Sequence, residues 1–82
     1  MPTTYVDRGE LEKGIPVFIL LETCGLAKSR GAARRLIEQG GAYKNNERVE
    51  EVDCMATMDD LGDGGIVLRS GKKRYHKILI KG

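Results

Sequence analysis

The segment that runs from residue 25 to residue 49 constrains the fold more than any other part of the chain. A helix can start at Ser29, whose hydroxyl suits an N-cap, and must stop at the pair Gly40-Gly41. Between these signals, three apolar residues share one helical face: Ala33, Leu36 and Ile37. A short strand follows and turns at Asn45-Asn46, because asparagine tolerates positive φ better than other non-glycine residues. The segment predicts a helix from Ser29 to about Gln39 that leads directly into a hairpin.

A preceding helix is predicted from about Pro16 to Cys24, because proline suits the first helical turn and an apolar stripe follows at helical spacing. Only Leu26-Ala27-Lys28 separates the two helices, so they should form a tight pair. Near the C-terminus, Ile66–Arg69 and Arg74–Ile80 have the composition of two strands joined by a short turn. The sequence therefore predicts an α+β fold, with two short helices packed on a small, mainly antiparallel sheet.

The two remaining stretches are polar. Residues 1–14 contain little apolar material and are interpreted as a linker or N-terminal arm, which leaves residues 15–82 as the domain. Such a beginning leads us to expect that the chain is part of a longer one. Residues 50–64 are acidic and irregular, with Met55 and Met58 expected to point inward and residues 62–65 expected to form a loop.

Size and composition argue against catalysis and metal binding. Eighty-two residues have room for one small core and for no enclosed catalytic chamber. The single histidine, His76, and the two cysteines, Cys24 and Cys54, are too few for a zinc site or a catalytic triad, and we interpret the cysteines as buried free thiols. No apolar run approaches the roughly 20 residues of a membrane span, and no signal peptide is recognisable. We expect a cytoplasmic protein with no catalytic residues, no metal, no cofactor and no membrane contact.

The charges are segregated along the chain, although the net charge is only +2. One basic cluster without acids spans residues 28–35, and a second spans residues 69–77. Between them, residues 47–63 hold seven acids and a single base, Arg48. A polyanion senses the local positive field rather than the total charge, so two basic clusters beside a helix start favour RNA binding over an ordinary solvated surface.

The candidate RNA-binding residues fall into three groups. The helix start and its first turns contribute Lys28, Ser29, Arg30, Arg34 and Arg35; the hairpin contributes Lys44, Asn45, Asn46 and Arg48; the C-terminal turn contributes Lys72, Lys73 and Arg74. Arginine forks onto phosphate oxygens, and free amides at a helix N-terminus also favour phosphate. The alternatives are that one arginine pairs with Glu38 or the acidic segment, that the asparagines only satisfy their turn, and that lysines protect an edge strand. Tyr43 is interpreted as a packing residue, and Tyr75 offers an aromatic face within the last basic cluster.

These residues carry a family resemblance that covers about residues 14–80. The pattern Gly25-Leu26, Ser29-Arg30, Ala33-Arg34, Leu36-Ile37 and Gly40-Gly41-Ala42-Tyr43 resembles the S4 RNA-binding motif, with Asn45 and Arg48-Val49 following it. The entry at residues 14–17 and the basic, aromatic exit at residues 66–78 are similar to the C-terminal domain of bacterial-type tyrosyl-tRNA synthetases. The chain departs from the motif at Ala32, where a glutamate or glutamine often completes a capping box, and at Asn46, where glycine is usual.

The resemblance implies an S4-like fold, of the αL-motif kind, and binding of tRNA(Tyr) through backbone phosphates. It also implies that the rest of a synthetase chain is a partner, and that ATP and tyrosine bind in a catalytic domain absent here. By the same resemblance we expect a monomeric fragment, inert by itself, of a homodimeric ligase. Two alternatives stay open: a free-standing S4-like protein that binds ribosomal RNA, and a protein-interaction module that docks an acidic partner.

Overall fold

A five-stranded sheet with a helix pair on one face forms the centre of the molecule. The computed structural model describes residues 2–62 and 64–81. In chain order the elements are β1 (Thr3–Val6), α1 (Arg8–Lys13), β2 (Ile15–Pro16), α2 (Val17–Thr23), α3 (Arg30–Glu38), β3 (Ala42–Lys44), β4 (Glu47–Arg48), β5 (Met55–Ala56), a 3₁₀ helix (Met58–Asp60), β6 (Ile66–Ser70) and β7 (Arg74–Ile80). The predicted α+β class is confirmed, with three short α-helices in place of the two expected.

The strand order in the main sheet is β1-β7-β6-β3-β4, and β2 and β5 form a separate antiparallel pair. All neighbours in the main sheet are antiparallel except β1 and β7, which run parallel. The β3–β4 turn is built from Asn45 and Asn46, with φ values of 50° and 70°. Left-handed backbone at both turn residues matches the twist of a two-residue hairpin, so the predicted Asn-Asn turn is confirmed.

The core lies between the helix pair and one face of the sheet. On β6 and β7, Ile66, Leu68 and Ile78 are fully buried and belong to the same cluster as Leu20 and Leu21 of α2. The helix α3 supplies two buried residues to this cluster, Ala33 and Ile37. Leu36, expected on the same buried face, is only half-buried and packs over Gly41, where an added Cβ would lie 2.8 Å from its Cδ1. The buried face of α3 is therefore centred on Ile37 rather than on Leu36.

The segment interpreted from sequence as a linker or N-terminal arm is docked on the domain over residues 2–14. Its strand β1 pairs with β7 along its whole length, from Thr3 opposite Lys77 to Val6 opposite Ile80. Two of its apolar residues, Val6 and Leu11, are buried in the core cluster. A single apolar residue per element gives a weak sequence signal. The burial of that residue nevertheless holds its element against the domain. Residues 2–14 thus form an arm that completes one edge of the sheet.

The acidic segment is less irregular than expected. Met55 and Ala56 pair with β2, and Thr57 caps the 3₁₀ helix through a hydrogen bond that its hydroxyl accepts from Asp59 N at 3.3 Å. Met55 is 41% exposed, so its predicted inward orientation was wrong, whereas Met58 packs against the core as expected. The predicted loop at residues 62–65 includes Asp63, which lies outside the described residues, as do Met1 and Gly82.

The only histidine links the edge strand to its neighbour. His76 is 8% exposed, and its Nε2 lies 2.7 Å from the hydroxyl of Thr4. Burial lowers the pKa of His76 below its usual 6.5, because the charged imidazolium loses hydration in the folded state. The unfolded chain therefore takes up the proton first as the pH falls.

We expect the stability of the domain to be fully present above about pH 6.5 and to decline as the pH falls below it. Urea unfolding at pH 7.5 and 5.5 measures this change. His76→Gln should remove the decline, because no other histidine titrates. Equal midpoints for the unmodified chain at both pH values would contradict this role of His76.

Candidate nucleic-acid interface

The helix α3 begins at a capped N-terminus that is open to solvent. Ser29 has an extended backbone with φ −156°, and its hydroxyl accepts a hydrogen bond from Ala32 N at 3.1 Å. This confirms the predicted cap, and its isolation agrees with the missing capping box at position 32. One amide of the first turn is satisfied by Ser29, so the remaining amides add a positive field beside Lys28 and Arg30.

The three arginines of α3 are exposed but differ in their contacts. Arg30 lies 4.0 Å from a carboxylate oxygen of Glu22 on α2, a distance at which two exposed side chains contribute little. The guanidinium of Arg34 stacks over the ring of Phe18, 4.6 Å from its centroid, and its charge has no acidic partner among the residues described. Arg35 stands in the last turn of the helix, where a positive charge complements the helix dipole. The stacking on Phe18 orders Arg34 without neutralising it.

Two of the four hairpin candidates, Lys44 and Asn45, use their side chains to contact other parts of the fold. Lys44 lies 3.1 Å from a carboxylate oxygen of Asp60, and its ammonium also donates to the carbonyl of Met55 at 3.3 Å. Asn45 donates to the carbonyl of Asp60 at 2.7 Å and accepts from Val67 N at 2.9 Å. These contacts tie the hairpin to the acidic segment and to β6. Asn46 and Arg48 are exposed and keep their polar groups available to a ligand.

The turn between β6 and β7 brings the second basic cluster beside the first. Lys72 and Lys73 are exposed at the turn. The guanidinium of Arg74 donates to the carbonyl of Gly25 at 3.1 Å and to that of Leu26 at 3.5 Å, in the loop that leads into α3. Two clusters about forty residues apart in sequence thus share one side of the molecule, and Arg74 is the tie between them.

Eleven of the twelve residues selected from sequence are exposed, and Lys44 is half-buried. The side chains of Lys44 and Asn45 contact other parts of the fold. Their partners, Asp60 and Val67, lie 15 to 22 positions further along the chain, so local pattern gave no sign of them. The sequence analysis did not select Arg69, although it belongs to the second cluster. Arg69 projects from β6 between aromatic rings, and only its alternation with Leu68 indicated which way it points.

The cysteines and the possible metal ligands of the chain are not among the residues of the basic surface described above. Both cysteines are free, as predicted, but they are half-buried rather than buried. Burial raises the pKa of the Cys24 thiol, so the thiolate that a nucleophile requires is disfavoured. Within residues 2–62 and 64–81, no group of histidine, cysteine and acidic side chains is gathered closely enough to hold a metal ion. None of the described helices has the length and apolar character needed to cross a membrane.

Comparison with known proteins shows which family the chain resembles. A family described as tyrosine--tRNA ligase SYY-like C-terminal domain matches residues 1–78. The chain is 51% identical over 80 residues to the tyrosine--tRNA ligase of Desulfosudis oleivorans, covering 98% of this chain and 18% of that protein. It is 49% identical over 80 residues to the tyrosine--tRNA ligase of Acetivibrio thermocellus, covering 98% of this chain and 20% of that one. The chain therefore spans about a fifth of the length of these relatives.

Proposed function

The chain belongs to the family of tyrosine--tRNA ligase SYY-like C-terminal domains, and we propose that it binds tRNA(Tyr) through the phosphate backbone on behalf of such a ligase. The observation that carries the proposal is the accessible basic surface around the start of α3. There the hydrogen bond from Arg74 to the carbonyl of Gly25 joins the β6–β7 turn, with its exposed lysines, to the loop that precedes the exposed arginines of α3. Arginine and lysine side chains presented on a helix and an adjoining turn bind the phosphates of a folded RNA.

The residues that we assign to this contact are a refined set. They are the exposed cations Lys28, Arg30, Arg34, Arg35, Arg48, Lys72 and Lys73, with Ser29 and Asn46 as neutral donors and Arg74 as the residue that positions the turn. Lys44 and Asn45 are assigned to the hairpin itself, because Asp60 and Val67 satisfy their side chains. The ion pair of Arg30 is long and exposed, so it does not compete with a phosphate.

The wider function follows from the relatives and remains part of the proposal. We assign the activation of tyrosine with ATP, and the transfer to tRNA, to a catalytic domain outside this chain. The 82-residue chain would then position tRNA and be inert alone, with the rest of the ligase as its covalent partner and a homodimer as the functional assembly. Binding to ribosomal RNA or to an acidic protein is the competing outcome of the experiment described next.

Charge reversal at Arg34 tests the assignment. Arg34→Glu places a like charge against phosphate, and we expect the affinity for tRNA(Tyr) to fall about 10- to 100-fold. The free energy of unfolding should change by about 1 kcal/mol or less, because only the exposed stacking on Phe18 is lost. Binding is measured by titration of labelled tRNA(Tyr), and folding by thermal melts of the same preparations.

The matched control is Lys13→Glu, which makes the same charge change on α1, a helix that contributes no residue to the proposed contact. We expect it to leave the affinity within about twofold. Equal losses from the two variants would indicate a diffuse effect of net charge and contradict the site. Equal affinity of the unmodified chain for tRNA(Tyr) and for a mixed-sequence RNA duplex would contradict recognition of a folded tRNA.

A further inference from the structure

Four side chains form a row across the face of the main sheet that is opposite the helix pair. The register pairs Arg48 with Tyr43, Tyr43 with Arg69, and Arg69 with Tyr75. Directly paired residues project to the same side of a sheet, so the row crosses β4, β3, β6 and β7. With strands about 4.8 Å apart, it spans roughly 14 Å. We call these four residues the tyrosine–arginine row.

The centre of the row is a guanidinium between two rings. The Arg69 Cζ lies 3.9 Å from the centroid of Tyr43 and 5.9 Å from that of Tyr75. The Nε of Arg69 is buried and has no hydrogen-bond partner within the described residues. Neither of the two ion pairs in the described part of the chain involves Arg69, so its charge is balanced only by the rings. A buried nitrogen without a partner is unusual in a native fold, and the charge of Arg69 is not offset by an acidic side chain.

The face around the row is uncovered. None of the four residues of the row, nor Val67, Lys77 or Leu79 beside it, belongs to the core cluster or packs against it. Tyr75 is 38% exposed, and Tyr5 on the edge strand is 60% exposed. The outward positions of the described strands include Arg48, Arg69 and Lys77 and contain no acidic residue. Three cations and accessible aromatic rings on an acid-free face are complementary to a nucleic acid strand.

The geometry points to a second RNA contact: we propose that an unpaired nucleotide of the bound tRNA stacks on Tyr75, with its phosphates held by Arg69 and Lys77. The inference rests on the proposed function and extends it from the helix to the open face of the sheet. The carboxylates of an acidic protein would match the cations but would not stack on the exposed ring. Unpaired RNA offers both the phosphates and the bases, and base stacking on aromatic side chains is tolerant of sequence.

The row is continuous with the basic surface at both ends. Arg48 begins the row and is itself one of the exposed cations of the first site. Tyr75 ends the row and directly follows Lys72, Lys73 and Arg74 of the β6–β7 turn. The turn that leads to Tyr75 contains no acidic residue, which suits an RNA strand that continues from α3 to the row. The acidic residues Glu47 and Asp60 project toward the opposite side with Lys44, with which Glu47 is paired.

The experiment compares two RNAs and two substitutions. The RNAs are tRNA(Tyr) and a blunt RNA duplex with the sequence of one of its stems, which has no unpaired nucleotide. Tyr75→Leu should weaken binding of tRNA(Tyr) about 5- to 100-fold, the range for loss of one base–aromatic stack. It should leave binding of the duplex within about twofold. Tyr75→Phe keeps the ring and should retain binding of both RNAs. Thermal melts of all proteins accompany the titrations.

A second measurement uses the unmodified chain. Ultraviolet irradiation of its complex with tRNA(Tyr), followed by mass spectrometry, should give a crosslink on the peptide that contains Tyr75. A crosslink confined to α3, unchanged tRNA binding by Tyr75→Leu, or equal losses from leucine and phenylalanine would each overturn the row as a stacking site. If Arg34→Glu still weakens binding in that case, the proposed function stands and only this inference fails. Tight duplex binding with no preference for tRNA would count against both.

Discussion

Replacing Ile37 by alanine is expected to lower the free energy of unfolding by about 2–5 kcal/mol, the range for truncating a buried aliphatic side chain. Ile37 is 2% exposed and stands at the contact between α3 and the core cluster. The cavity left behind would lie between the helix pair and the sheet, where rigid neighbours prevent collapse. A domain of this size has a total stability of roughly 4–12 kcal/mol, so a large share is at risk.

The comparison variant is Leu36→Ala, one position away on the same helix. Leu36 is half-buried and packs over Gly41 at the margin of the core, so its truncation should cost clearly less than that of Ile37. Denaturant unfolding of both proteins measures the difference, provided that the slope of the unfolding free energy against denaturant concentration is the same for both. A larger loss from Leu36→Ala would mean that the register of α3 is rotated from the one described, and that Leu36 anchors the helix pair.

The elements with strong local signals were predicted to within about a residue or two. The cap at Ser29 and the Gly40-Gly41 stop fix the ends of α3, and the Asn45-Asn46 turn fixes the β3–β4 hairpin. These signals act between neighbours in the chain, so a single sequence contains them. The long strand β7, Arg74–Ile80, was likewise predicted with its full extent, because seven alternating residues give a clear period.

The parts that sequence did not reveal depend on distant partners. The arm β1 pairs in parallel with a strand more than seventy positions away, and its Thr-Thr-Tyr-Val sequence has only one buried residue. The contacts that hold the side chains of Lys44 and Asn45 depend on Asp60 and Val67. The placement of Arg69 between two rings requires three strands in register. Contacts of this kind arise only when the sheet is assembled, whatever the local preference of each residue.

Salt should weaken the binding of tRNA(Tyr) by about three orders of magnitude between 50 mM and 200 mM monovalent salt. Besides Arg74, six exposed cations of the proposed RNA contact have no acidic partner in the described structure: Lys28, Arg34, Arg35, Arg48, Lys72 and Lys73. Arg30 is held only loosely by Glu22. About five to seven neutralised phosphates give a slope of log K against log[salt] of roughly −4 to −6. Counterion release produces this slope whatever the RNA sequence, so titrations at four or five salt concentrations determine it. A flat response would contradict phosphate binding altogether.

The slope of log K against log[salt] also distinguishes a lysine that contacts RNA, Lys72, from Lys44, which stabilises the hairpin. Lys72→Met removes an exposed cation at the β6–β7 turn and should reduce the magnitude of the slope by about one. Lys44→Met removes the same charge, but Lys44 is already paired with Asp60 at 3.1 Å and releases no counterion on binding. We therefore expect its slope to stay unchanged while its melting temperature falls, because Asp60 loses its partner and the hairpin loses a tie. Equal slopes for the two variants would mean that net charge, rather than this surface, determines the binding. A reduced slope for Lys44→Met alone would mean that Lys44 contacts RNA.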